Sequence, residues 1–459
     1  MCEKQSFRGE VTAYLSLIFI LLTVFVGGVM ESASIQNAKN YRRADMNRAM
    51  ESVFAEYQKE LLEEYDIFAL DGSYETGQYS ERNIIDRLSY YGAGDMEHKI
   101  TRICFLTDHG CDAFCGQVAS YMEQKYGLGI IEDKLEMSSV WERQEEQARD
   151  YAKREQEQQD YLEGLLEENE GELPQEGNPI RYAGELKKSP VLSLVLPKGK
   201  SVSEKRLNHQ EMLSERSRNA GYGDFSGAVS EGKRLSSLML GEYLLKHFSG
   251  FTDTEGTGVL DYELEYILAG GDSDRENLES VVKKLLFLRF VPNYAYIQTD
   301  SEMRAEAEAA ALTLCTLLAV PAITEAAAQG ILLAWAYGES IMDLRSLLKG
   351  HRVPPVKSKE SWQLQLSKLL TLGTEEDRSE GRDDIGGLAY QEYLRILLFL
   401  EKKEDAAMRA LGIIEQNLRR IHGQAYFRAD LCVSRLEIRS TGRFRRGISY
   451  QFQTYYDYH

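Results

Sequence analysis

Recognisable catalytic signatures are missing from this 459-residue sequence. Its seven histidines are scattered. None forms the H-E-x-x-H zinc pattern or lies near a G-x-S-x-G nucleophile turn. The glycine-rich stretches lack the Lys-Ser/Thr end of a phosphate-binding loop. Cysteine is sparse too: six residues in a chain this long are too few for a disulfide scaffold. Positive charge is in deficit, with a net charge of −19. That argues against nucleic acid as a partner, because phosphate binding wants a basic face. It argues equally against adhesion of the soluble part to anionic lipid. A hydrophobic content of 43% speaks against global disorder. The expectation is a folded, non-enzymatic protein with no cofactor and no metal site.

What the chain does have is a long apolar run. From Val11 to Met30 no residue carries a charge, and about 20 apolar helical residues suffice to cross a bilayer. The membrane lipid is therefore the first expected partner, contacted through Val11 to Met30. A cleaved secretory signal is the competing reading, with Ser32-Ala33-Ser34 as the cleavage site, but such signals have a shorter core of roughly 7–15 residues. Moreover, no Gly or Pro interrupts Glu31 to Leu70. Ile35, Ala38, Tyr41, Met46, Ala49, Val53, Tyr57, Leu61, Tyr65 and Phe68 recur there at spacings of three to five, the stripe of an amphipathic helix. Lys4 and Arg8 precede the span and Glu31 follows it, which favours a cytoplasmic N-terminus with the bulk of the chain outside.

The remaining pattern predicts an α+β protein in seven parts. Residues 1–10 form a cytoplasmic tail, 11–30 the transmembrane helix and 31–70 the amphipathic stalk helix. A first α+β segment covers 71–131, with helices at Asn83–Tyr91 and Ala113–Tyr126 and a strand at Lys99–Thr107. Glutamates crowd 132–178, an acidic helical or flexible spacer. A loop-rich linker covers 179–234. In it the proline-bounded run Val191–Leu196 reads as a short buried strand or docking segment, and 201–232 as an exposed or mobile connection. The second, mainly helical domain occupies 235–459. Leu260–Leu268 alternates with near period two and reads as a half-exposed strand. Ser273 and Glu276 have capping-box spacing and open a helix at Asp274–Phe290. Met303–Val320 and Ile323–Leu348 read as two buried core helices, and Tyr390–Leu400 and Ala406–Ile421 as two more. Alternation around Leu436–Ile438 and Ile448–Tyr456 predicts an antiparallel hairpin. That hairpin needs a strand partner, either 262–268 or 99–107, and its last strand is expected to pack on the helices of the second domain.

The head segment Phe7-Arg8-Gly9-Glu10-Val11-Thr12-Ala13-Tyr14-Leu15-Ser16-Leu17 resembles the start of the TadE/TadG-like pseudopilins of tight-adherence pili. Over a longer range the chain looks like an uncharacterised family of membrane-anchored bacterial proteins associated with such pilus systems. That likeness rests on 38–45 (Ala38-Lys39-Asn40-Tyr41-Arg42-Arg43-Ala44-Asp45), on 64–72, on 262–270 and on Trp335-Ala336-Tyr337-Gly338-Glu339-Ser340. The resemblance implies a structural or assembly role in a surface pilus or envelope apparatus, with other envelope membrane proteins as partners. Type IV prepilins are cut after a Gly and carry Glu at the fifth mature position. Here Gly9 is followed by Glu10, and the fifth position is Tyr14, so an uncleaved anchor is expected.

Two side-chain groups invite a chemical reading. Cys104, His109, Cys111 and Cys115 are the right residue types for zinc, but their spacing matches no standard knuckle. Unlinked thiols, a disulfide among Cys104, Cys111 and Cys115, and a metal site all stay open. Asp377, Glu380, Asp383 and Asp384 lack the alternation of a calcium loop and read as a solvated loop. A ligand-binding or sensory module, with a pocket between the apolar helices near Trp335, is the alternative function.

Overall fold

The computed structural model describes residues 7–127, parts of 142–168, residue 174, and residues 176–225, 233–253, 258–316, 321–444 and 447–458. Most of the acidic spacer lies outside these. Helix α1 runs from Phe7 to Phe54. A short helix α2 (Lys59–Tyr65), strand β1 (Leu70–Asp71), helix α3 (Glu81–Leu88), strand β2 (Met96–Phe105) and helix α4 (Asp112–Tyr126) follow. Helical residues 156–168 form α5. Then come α6 (Pro179–Lys188), α7 (Val191–Val195), α8 (Lys233–His247), α9 (Glu263–Ala269), α10 (Asp274–Thr299), α11 (Ser301–Cys315) and α12 (Pro321–Leu348). A turn of helix α13 (Leu366–Leu369), helices α14 (Tyr390–Leu400) and α15 (Lys403–Arg420), and strands β3 (Cys432–Arg443) and β4 (Ser449–Asp457) complete the order. The fold is α+β, as the sequence predicts.

The stalk helix ends at Phe54, well short of the expected 31–70 span. Past Phe54 the chain extends, Tyr57 bridges to Leu70, and the Gln58 N–H donates to the Ala69 carbonyl. The apolar spacing continues because it serves two different cores. Met46, Ala49, Met50, Val53 and Phe54 pack on the sheet. Leu61 and Tyr65, on α2, enter the helical body. Asp66 ends α2 in the left-handed region, its N–H bonded to the Leu62 carbonyl.

β3 is the central strand, antiparallel to β1, β2 and β4. The β3–β4 register is unbroken, whereas β2 shifts register twice, between Ile100 and Arg102 and between Cys104 and Phe105. Of the two expected strand partners for the hairpin, the structure uses the first α+β segment. The expectation that the last strand packs on the helices of the 235–459 region fails. β4 lies against α1 instead, because Phe452, Tyr456 and Tyr458 belong to the same apolar cluster as Met46 and Phe54.

Three local readings are also corrected. Residues 263–269 are helical, not a strand. Their alternation arises because Glu263 and Glu265 are themselves buried and hydrogen-bonded, so period two does not mark a wet face. Val191–Val195 is a helical turn whose apolar side chains are buried. In the linker, residues 205–222 are pinned rather than loose: Arg206 bridges Ser273, Met212 and Leu213 are buried, and Tyr222 bridges Ile103. The capped helix does open at Ser273, whose hydroxyl accepts from the Glu276 N–H, but it runs on through Pro292 to Thr299. One apolar cluster takes in Leu61, Phe114, Leu285, Trp335 and Leu411, so residues on both sides of 235 share it.

Candidate functional site

Among the described residues, α1 is the one helix long and apolar enough to cross a membrane. From Val11 to Met30 its side chains stand exposed, Phe19 at 71% and Met30 at 70%. Two hydroxyls inside the run bond to its own backbone. The Ser16 hydroxyl donates to the Thr12 carbonyl at 2.8 Å, and the Thr23 hydroxyl to the Phe19 carbonyl at 2.7 Å. This back-bonding removes the cost of an unpaired hydroxyl in hydrocarbon. No atom lies within 4 Å of where a side chain on Gly27 or Gly28 would start.

Where the apolar run gives way, basic residues meet the rim of the sheet. Lys39 lies 5.0 Å from the Tyr450 ring, Arg43 5.8 Å from the Phe452 ring, and Arg42 pairs with Asp95 at 2.8 Å. Below them Phe54 stacks on Tyr456, and the Tyr458 hydroxyl donates to the Phe54 carbonyl. That bond caps one of the carbonyls a helix end leaves free. The anchor therefore enters the sheet through packed aromatics and not through a linker.

The cysteine–histidine group does not assemble into a centre. Cys104, Cys111 and Cys115 are buried free thiols, as is Cys432. Burial pushes the Cys104 thiol up to about 12 and the Cys115 thiol up to about 11, so neither offers a thiolate at neutral pH. Cys111 and Cys115 are one helical turn apart, the Cys115 N–H bonded to the Cys111 carbonyl. His109 stands on the rim of a polar cleft of about 830 Å³ between 107–110, 214–220 and the start of α15. The arginines of this cleft are largely committed. Arg216 pairs with the buried Glu415 and Asp430, and Arg409 donates to the Ile267 carbonyl. Among the described residues no group of three or more His, Cys, Asp or Glu is placed to hold a metal.

The loop carboxylates pin their own loop. Asp377 pairs with Arg345 at 2.7 Å and accepts from the Gly373 N–H, Glu380 pairs with Lys349, and Asp383 accepts from the Arg352 N–H. At Trp335 the indole N–H donates to the Leu364 carbonyl at 2.8 Å, and Trp362 packs edge-on against it. The segment 351–364 thus covers the helix at this point. A small cavity nearby, lined by Leu162, Ile180 and Leu333 among others, has about 20 Å³, room for a single water.

Sequence reasoning missed a dry charge cluster beneath that cover. α12 contributes Glu339, Ser340 and Asp343, α10 contributes Arg289 and Asn293, and the covering segment contributes Lys357. The Lys357 ammonium lies 2.6 Å from Glu339 Oε1 and 2.7 Å from Asp343 Oδ1, with all three side chains at 0% exposure. It also donates to the Ser361 carbonyl. Asp343 Oδ2 accepts from Arg289 Nε at 3.0 Å and from Asn293 Nδ2 at 2.9 Å. Glu339 further accepts from the backbone N–H groups of Gln363 and Leu364. Burial pushes the Glu339 carboxyl up to about 7, against the pull of Lys357. The signal was present: two acids four residues apart on one face of an otherwise apolar helix demand buried cations. The partner lysine could not be found by spacing, because it comes from an irregular segment.

The chain matches the sequence profile of a family described as a family of unknown function (DUF5702) over residues 169–443, more than half of its length. It belongs to this family. The matched region contains the Tyr262–Gly270 and Trp335–Ser340 stretches and the whole charge cluster, while the anchor helix lies outside it. No curated protein and no solved structure matches the chain.

Proposed function

We propose that this chain is a non-enzymatic, membrane-anchored structural or assembly component of a surface pilus or related envelope apparatus. Its Val11–Met30 helix would cross the bilayer with the N-terminus cytoplasmic and the body outside. The observation that carries the reading is the joint between anchor and body. A 48-residue helix leaves an apolar span bare and buries its other end against the sheet, with Phe54, Tyr456 and Tyr458 in contact. A tether that only localises a domain needs no such joint. A part that must hold a fixed position relative to neighbours in the membrane does. The unencumbered Gly27-Gly28 face would let a neighbouring helix approach closely.

Two measurements test this. Co-purification from mild detergent with other envelope membrane proteins supports it, and a strictly solitary monomer counts against it. A cysteine placed at the exposed Tyr41 should react with an impermeant maleimide on intact cells; protection until lysis would reverse the orientation. The polar cleft beside His109 keeps a ligand-binding module as the second reading, which a small molecule retained in that cleft through purification would favour.

A further inference from the structure

We propose that Lys357 and Asp343 are joined by an intramolecular amide bond, formed without another enzyme and assisted by Glu339. The arrangement has the parts such a condensation needs. An amine and a carboxyl group are held in contact at 2.7 Å, in a site with no exposure to water. A second carboxylate, Glu339, touches the same amine at 2.6 Å. The far oxygen of the Asp343 carboxyl faces two fixed donors, Arg289 Nε and Asn293 Nδ2.

The step balances within the cluster. Lys357 gives one proton to Glu339, which passes it to Asp343 Oδ1, and the neutral amine attacks Cγ of the resulting carboxylic acid. Negative charge grows on Asp343 Oδ2, where the Arg289 and Asn293 donors already point, as in an oxyanion hole. Glu339 then carries a second proton, from the amine nitrogen, to Asp343 Oδ1. The Cγ–Oδ1 bond breaks, Oδ1 leaves as water, and one hydrogen stays on the new amide nitrogen. No oxidant or activated co-reactant is required. Glu339 is suited to shuttle protons because burial has lifted its carboxyl to about 7.

Electrostatics favours the product. Before the reaction the interior holds Lys357 and Arg289 against Glu339 and Asp343. Isolated charges are costly to keep from water, and even good pairs often do no better than neutral groups. Condensation removes one charge of each sign and leaves Arg289 facing Glu339, with the net charge unchanged. The bond would lock the covering segment 351–364 onto α12. None of this depends on the membrane placement proposed above.

The decisive test is the mass of the full chain, purified in detergent, with a peptide map. The expected mass is one water below that of the processed sequence. A tryptic map should contain a branched peptide joining the fragment with Asp343 to that with Lys357, and no cleavage after Lys357. Full sequence mass with ordinary cleavage at Lys357 overturns the proposal. Lys357→Met should restore the missing water. Glu339→Gln should leave most chains unlinked while far-UV circular dichroism stays native; a folded Glu339→Gln chain that is fully linked would overturn the role given to Glu339. If either variant fails to fold, the map of the unaltered chain still decides.

Discussion

The Phe54 ring, at the end of the anchor helix, stacks on the Tyr456 ring of the last strand with centroids 4.2 Å apart and planes 26° from parallel. Phe54 is also edge-on to Tyr458 at 5.1 Å. Replacing Phe54 with Ala removes both contacts and leaves a cavity under the sheet. Denaturant titration in detergent should show a loss of about 3–5 kcal/mol. Tyr458→Phe removes only the hydroxyl cap on the Phe54 carbonyl and should cost about 1 kcal/mol.

Arg216 lies between two carboxylates, 2.9 Å from Glu415 and 2.7 Å from Asp430, both of them buried. Burial alone would raise the Asp430 carboxyl, but Arg216, Arg428 and the Asn219 N–H outweigh it and hold it well below the ordinary range. Arg216→Ala removes the cation the two acids share, leaving Asp430 with Arg428 and Glu415 with the Ala429 N–H, and should destabilise the body by about 3 kcal/mol. A melting temperature close to that of the parent chain would refute this.

Glu265 is wholly buried, with one oxygen bonded to the Tyr390 hydroxyl and the Phe251 N–H and the other without a partner. Burial lifts its carboxyl from 4.5 to about 7. The folded state therefore holds this proton more tightly than the unfolded chain. Its contribution is fully present below about 4.5 and is lost as pH rises through about 7, by up to ~3 kcal/mol. Melting curves at pH 5 and pH 8 should differ less for Glu265→Gln than for the parent.

Gly221 sits where a side chain would begin 2.2 Å from the Ile103 carbonyl oxygen and 2.5 Å from Asp108 Oδ2. Its N–H is held by both Asp108 oxygens. Gly221→Ala should pry the 219–223 segment from β2 and cost about 1–3 kcal/mol. Faster amide exchange at Ile103, whose N–H is bonded to the Tyr222 carbonyl, is the readout.

The anchor itself is open to a direct challenge. Leu21→Arg places a charge in the middle of the apolar run and should weaken insertion by about 2.5–3.5 kcal/mol. Alkaline extraction of membranes should then release a larger share of the variant than of the parent chain.

Most helices were legible because their apolar spacing is regular and their caps are local. Ser273 fixes the start of α10, and the hairpin strands alternate over the right length. The errors share one physical origin. Period two at Tyr262–Leu268 looked half-exposed because Glu263 and Glu265 look wet. Their partners, Asn417 and Tyr390, lie more than a hundred residues away. The stripe from Ile35 to Phe68 looked like one helix because two cores use consecutive parts of it. Lys357 was overlooked for the same reason: its acids are read from a helix, while its own position is set by a loop.

The sheet also imposes an order in time. Thr101 of β2 donates to the Glu437 carbonyl of β3, from 336 residues away in the chain. At about 5–20 residues per second, β2 waits on the order of half a minute for its central strand to be made. Helix α1 is synthesised long before that and, on the proposed reading, has by then met the bilayer. The body therefore closes onto a helix already made, and a chain broken anywhere before 432 leaves β2 without its partner strand and the Met46–Phe54 stripe covered only by α3 and residues 89–93. Closure of the sheet thus reports that synthesis has passed residue 432.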